Sequence, residues 1–391
     1  MDIEKSFFII FLIFLFVFGG YFFSSPRPGS QYQHHVYLAE AFLDKRLDIK
    51  NFPEYYHDLA RFKEKVFIPF PPAPAVILMP FVAVRGVSFK QTYLAMFIAG
   101  LNAVLVYLLF EKKKFWQRLV LILFYSFGTV IWYSAVIGTT WFYASICANF
   151  FLFLSLWLFL RKRKFFLSGL FFGLAALSRH PVLLGGVFFL PFLLKKKNSF
   201  LKFIIGLLPI LLLQLVYNYL RFGNIFQEGY VLVYRAYADS AHNYNIFKVW
   251  LSGYHYPGYL DPRNIPAHLT TLFLLLPEKT NSFPFLKPSP YGMSIILTSP
   301  FFFYLFKADF KKKLIRCSLL AAFLVFIPIS FHYMQGWVQF GYRFLVDLLP
   351  FLMMILADGL PKKISFPLII LLGLSIASNY FGVYWGRKLG W

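Results

Sequence analysis

The sequence predicts an all-α polytopic membrane protein with about eleven crossings, organised as one integral membrane domain over residues 1–391. Three observations carry that expectation. The chain is 59% hydrophobic and 22% aromatic. Only 14% of its residues are charged, against about 25% in a water-soluble domain. The charges gather in short basic clusters, and the apolar stretches between them are too long for a soluble surface. Soluble enzymes, secreted disulfide scaffolds and disordered regulators are excluded.

The first apolar run is 6–23, preceded by Lys5. It is longer than a signal-peptide core, and Ser24-Ser25-Pro26-Arg27 is a poor cleavage site. It reads as an uncleaved helix with its N-terminus in the cytoplasm. The further runs are 91–110, 118–136, 142–160, 165–178, 181–194, 201–219, 291–306, 314–332, 345–360 and 364–384. Basic clusters at 112–114, 161–164, 195–197, 311–313 and 362–363 lie in short connections. Short loops obey the positive-inside rule. An even number of crossings separates each cluster from the next, so all face the cytoplasm and the C-terminus ends outside. The expected location is a bacterial cytoplasmic (inner) membrane.

Two stretches need separate treatment. Residues 165–194 lie between two cytoplasmic clusters and are too short for two full spans, which predicts a short helical hairpin with Ser178-Arg179-His180-Pro181 at its tip. Residues 73–87 are apolar but short, contain Pro74 and Pro80 and include Arg85, which suits a helix lying on the outer interface. Two long segments remain outside, 24–90 and 220–290. They hold Glu40, Asp44, Asp48, Glu54, Asp58, Glu64, Glu228, Asp239, Asp261 and Glu278, most of the 16 acidic residues. Acid–base chemistry therefore belongs to the outer face.

The net charge of +23 comes largely from clusters that set topology, so it implies no nucleic-acid partner. Cys147 and Cys317 fall in apolar runs and read as packing residues. The chain has no Gly-rich loop ending in Lys-Ser/Thr, no HExxH, no GxSxG and no CxxC. A nucleotide-driven pump is not expected. Few ionisable residues occupy the middle of the runs, which argues against an ion-coupled transporter.

The candidate residues each have a functional and a structural reading. Asp58, beside His57, is either a general base for an acceptor hydroxyl or the N-cap of a helix starting at Leu59. Glu40 is a second candidate base or part of a solvated helix face. Asp44 and Asp48 alternate with cations and read as surface charges. His34 and His35 are either hydrogen-bonding residues or part of a metal site, but nothing nearby completes a ligand set. No metal ligand and no cofactor is assigned, and a divalent metal stays open. Tyr254, Tyr256 and Trp337 either stack on a sugar or belong to an interfacial belt. Arg343 and Asp347 are spaced to pair on one helix face.

Several segments, in order, resemble the GT-C superfamily of membrane glycosyltransferases, which includes protein O-mannosyltransferases and lipid A aminoarabinose transferases. They are Gln33 to Leu43, Tyr55-Tyr56-His57-Asp58, and Phe70-Pro71-Pro72-Ala73-Pro74 in the first outer loop. The stretch from Gly169 to Arg179, with His180 inserted before Pro181, resembles the family's hairpin. Asn218 to Asn224 resembles the exit of a middle helix, and Gly341-Tyr342-Arg343-Phe344 with Leu348-Leu349-Pro350 resembles a late helix. The family's usual acidic positions carry Gln31, Gln33 or His34, and later Thr139-Thr140-Trp141. The carboxylate is therefore assigned afresh.

The resemblance implies a GT-C-like bundle with two long outer loops and a cavity at the outer leaflet. It implies transfer of a sugar from a polyprenyl-phosphate donor to a glycan, lipid or protein acceptor, among membrane lipids. The residues assigned are Asp58 and Glu40 as candidate carboxylates, Arg179 and Arg343 for the donor phosphate, and Tyr56, His57, His34 and His180 for substrate. The rival reading is a non-catalytic or transport protein that handles a lipid-linked sugar on the same scaffold.

Overall fold

The computed structural model describes residues 3–25, 31–240, 259–281 and 283–390. Tyr254 and Tyr256 lie outside the described residues. The α-helices are α1 (Ile3–Ser24), α2 (His34–Leu43), α3 (Ala73–Arg85), α4 (Gln91–Leu109), α5 (Phe115–Phe127), α6 (Ile131–Ile137), α7 (Thr140–Trp157), α8 (Phe165–Ala176), α9 (Leu190–Leu193), α10 (Lys197–Phe222), α11 (Tyr230–Ser240), α12 (Ile265–Leu269), α13 (Ile295–Thr298), α14 (Lys313–Phe331), α15 (Leu349–Gly359) and α16 (Phe366–Leu389). Short antiparallel hairpins pair Ala60–Phe62 with Lys65–Phe67 and Glu278–Lys279 with Leu286–Lys287. The protein is all-α with several helices suited to a membrane.

Among the described residues, six helices are long and apolar enough to cross a bilayer, or seven if α5 and α6, bent by 49°, form one broken span. The other expected runs take a different form. Residues 165–194 form α8, a 3-10 helix His180–Phe188 and α9. Residues 291–306 form α13 and part of a 3-10 helix, Pro300–Lys307. Residues 345–360 combine part of a 3-10 helix, Arg343–Leu348, with α15. Proline explains the breaks: Pro181, Pro300 and Pro350 each stand in the first turn of a new segment, where a missing N–H costs little. Such short pieces are tolerated where protein, not lipid, surrounds them. α15 is almost wholly buried.

The basic clusters gather at one end of the bundle. Lys114 Nζ donates to the Lys362 carbonyl at 3.4 Å, and Gln117 Nε2 to Pro361 at 3.0 Å. Lys312 pairs with Asp358 at 2.6 Å. Arg161 Nε donates to the Leu109 carbonyl, and Lys313 Nζ to the Pro191 carbonyl. The hairpin runs from this end to Arg179 at the far end and back. It is seated on α10 through glycines: a Cβ at Gly169 would strike the Phe203 carbonyl, and one at Gly206 the Phe166 carbonyl.

At the far end, α2 forms as its periodicity predicts. α3 follows Pro72, ends at Gly86 and leaves Val76 and Val84 exposed, as suits an interfacial helix. Asp58 caps no helix. It sits in the left-handed region (φ 57°) just before the Ala60–Phe62 strand, so the N-cap reading is corrected.

Candidate functional site

The site grows from the start of α7. Gly138 ends α6 in the left-handed conformation, and Gln91 Nε2 donates to its carbonyl at 2.8 Å. This turn launches Thr139-Thr140-Trp141. Thr140 Oγ1 accepts from the His34 backbone N–H at 2.8 Å and also contacts His34 Nδ1 at 3.1 Å. On the other side of the ring, His34 Nε2 stands 2.8 Å from the His57 carbonyl, which places the proton on Nε2. Tyr56 stacks on the His34 ring with centroids 4.5 Å apart, and its hydroxyl accepts from Gln33 N–H at 2.9 Å. His34 and Tyr56 are buried struts that fix the Tyr55–Asp58 segment.

That segment presents its next two residues to Trp141. The His57 ring lies nearly parallel to the indole, at 5.5 Å. Trp141 Nε1 donates to Asp58 Oδ2 at 3.1 Å. An aspartate in the left-handed region is less costly than most residues there, because its short polar side chain can bond locally.

From the other side comes the Arg343–Leu348 segment. The Arg343 guanidinium lies 5.5 Å from the Trp141 ring centre and 5.0 Å from that of Phe344. Its Nε has no hydrogen-bond partner, and no carboxylate among the described residues lies within ion-pair distance of it. Burial, reinforced by the like charge of Arg179, pulls its pKa down to about 10, with Asp58 opposing that pull. It remains a cation at neutral pH.

Arg179 is already paired. Its Nε and Nη2 both reach Asp347 Oδ2, each at 2.8 Å, and Asp347 is fully buried. The expected Arg343–Asp347 pairing is corrected. Arg343–Leu348 is a 3-10 helix, and at about three residues per turn positions four apart no longer share a face. The hairpin of residues 165–194 holds no acidic residue of its own, and Asp347 neutralises Arg179 from outside it.

His180 leaves the opposite side of the hairpin tip and contacts Glu228, Nδ1 to Oε2 at 3.1 Å. Burial opposes the Glu228 charge, but His180 and Arg221 beside it hold its pKa below the usual carboxylate value. Tyr230 and Tyr259 stack at 5.9 Å near Arg179, and Tyr259 meets His332 edge-on.

The structure thus brings together Asp58, His57, Arg179 and Arg343, with His34 and Tyr56 as supports and His180 at the margin. Glu40 is not among them: it stands half-buried in the second half of α2, near Tyr37. Asp44 pairs with Arg46 at 2.7 Å, as a surface charge would. Trp337 is exposed in its loop. Trp141, Tyr230 and Tyr259 belong to the cluster and escape a reading by motif; Trp141 draws notice in the sequence only as the occupant of a position usually acidic. Among the described residues, no three His, Cys, Asp or Glu side chains come together to hold a metal ion.

Buried imidazoles also give this end an acid sensitivity. Burial lowers the pKa of His34 to about 4 and that of His35 to about 3. Both stay neutral when folded but bind protons below about 6.5 when unfolded. The unfolded state then holds more protons, so stability falls as pH drops from about 6.5 toward 4 and is flat above that window. Neither ring nitrogen of His35 has a hydrogen-bond partner. His35→Phe is therefore expected to shrink the acid loss of melting temperature without lowering the value at neutral pH. An unaltered acid profile would remove His35 from the account.

No family model and no curated protein matches the chain.

Proposed function

We propose that this protein transfers a sugar from a polyprenyl-phosphate donor to a glycan, lipid or protein acceptor at the outer face of a membrane. One observation supports this most: a carboxylate, an indole and a guanidinium that no carboxylate contacts directly among the described residues, Asp58, Trp141 and Arg343, meet from three distant parts of the chain. Arg343 offers a planar fork to phosphate oxygens. It would hold the donor and stabilise the departing phosphate. Trp141 supplies a flat face for a sugar. Asp58 would take the proton from the acceptor hydroxyl as oxygen attacks the anomeric carbon. A single displacement of this kind inverts the anomeric configuration.

In this reading the end of the bundle holding the basic clusters is cytoplasmic, by the positive-inside rule. The N-terminus is inside and the C-terminus outside. The short segments of residues 165–194, 291–306 and 345–360 complete about eleven traversals. The bacterial inner membrane suits a polyprenyl carrier.

The test is transfer in proteoliposomes from a panel of radiolabelled polyprenyl-phosphate sugars. Transfer from at least one donor, with donor capture lost in Arg343→Ala, is the expected result. Donor capture without transfer across the panel would replace the enzyme by a carrier of lipid-linked sugar. Absence of both would end the proposal.

A further inference from the structure

A second basic site lies away from the arginine pair, where the first outer loop meets the exit of α10. It is a cleft of about 670 Å³, lined on one side by Lys45, Arg46 and Asp48, on another by Lys63 and Lys65, and on the third by Arg221. Arg46 is taken up by Asp44. Lys45, Lys63 and Lys65 are exposed, and no carboxylate among the described residues lies within ion-pair distance of them. Lys45 and Lys63 both hold the left-handed backbone conformation, with φ of 56° and 45°. Chain geometry places both: Lys45 stands just past the end of α2, and Lys63 with Glu64 makes the two-residue turn between the Ala60–Phe62 and Lys65–Phe67 strands, so each lysine is presented at a fixed point of the rim.

The floor is built rather than incidental. Arg221 is buried, lies over the Tyr217 and Phe222 rings, and donates from Nη1 to the Ile68 carbonyl and from Nη2 to Asn218 Oδ1. Its Nε has no partner. Topology does not account for these cations. They sit at the end opposite the basic clusters, and long loops escape the positive-inside rule. The same cleft is also lined by Tyr219 and Leu220, which are exposed on the apolar surface of α10.

A cationic cleft joined to an apolar helix face complements one kind of molecule, an anionic amphiphile. We propose that the cleft binds the phosphate headgroup of a membrane lipid of the outer leaflet. The lysines would engage the phosphate, and the chains would lie along Tyr219 and Leu220. This inference needs the membrane setting but does not rest on sugar transfer.

The test uses the full chain purified in mild detergent and mixed with phosphatidylglycerol or phosphatidylcholine, with retained lipid counted by native mass spectrometry. Phosphatidylglycerol should be retained in preference to phosphatidylcholine, and the preference should fade at high salt, as an exposed charge interaction does. The triple variant Lys45→Gln, Lys63→Gln, Lys65→Gln should lower that retention by about tenfold or more. The single variant Lys279→Gln, which removes an exposed lysine elsewhere, should not. Inorganic phosphate alone should displace little lipid. Equal retention of the two lipids, an unaltered triple variant, or full displacement by inorganic phosphate would each overturn the proposal.

Discussion

Asp58→Asn is expected to lower sugar transfer by about 10²–10⁴-fold, the usual cost of removing a general base, while donor binding changes little. The substitution isolates basicity unusually well at this position. Asn tolerates the left-handed backbone nearly as readily as Asp, so the φ of 57° adds no new strain. An amide oxygen can still accept from Trp141 Nε1, which now bonds to Oδ2. The charge lost is one that partly offsets Arg343. That guanidinium then faces a donor phosphate with less competition, so donor affinity should hold or rise. A fall in kcat with unaltered or lower KM is the signature of the proposed role. Full activity would assign Asp58 to holding Trp141. Glu40 would then be a weak substitute, because it stands in the second half of α2 beside Tyr37 and does not figure among the groups acting on Arg343.

Much of the scaffold could be read from the sequence, and the failures have local causes. The helix at His34–Leu43 follows from its apolar spacing. The hairpin between Lys164 and Lys195 follows from two basic clusters too close together for two spans, and its tip does carry Arg179. Hydropathy counts apolar residues but not how they coil. It therefore takes residues 291–306 and 345–360 as full spans, where prolines divide them into short and 3-10 segments. The same 3-10 winding breaks the i, i+4 argument for Arg343 and Asp347. The partner of Asp58 could not be found locally at all. Trp141 lies 83 residues away, and only the packing of α2, stapled to Thr140 through His34, brings the two together.

The two arginines should respond oppositely to removal of charge, and the contrast separates scaffold from site. Asp347→Ala leaves Arg179, largely shielded against Phe344, with its acid gone. Removing one member of a buried pair typically costs about 3–5 kcal/mol, because the remaining charge is stranded. A steep fall in the thermal stability of the detergent-purified protein is expected. Asp347 Oδ1 already lacks a hydrogen-bond partner, so the pair itself is imperfectly satisfied. An apolar replacement of both residues, Arg179→Met with Asp347→Leu, should therefore recover most of the loss. Arg343 is the opposite case. It is a partly buried cation with an unpartnered Nε and a like-charged neighbour. Arg343→Met should be neutral or stabilising, yet should abolish donor capture. Such a trade, stability held back in favour of an unsatisfied charge, is what a phosphate-binding arginine requires before its ligand arrives. If Arg343→Met instead unfolds the protein while Asp347→Ala is tolerated, the roles are reversed: Arg179 is then the residue left waiting for an anion, and Arg343 the structural one.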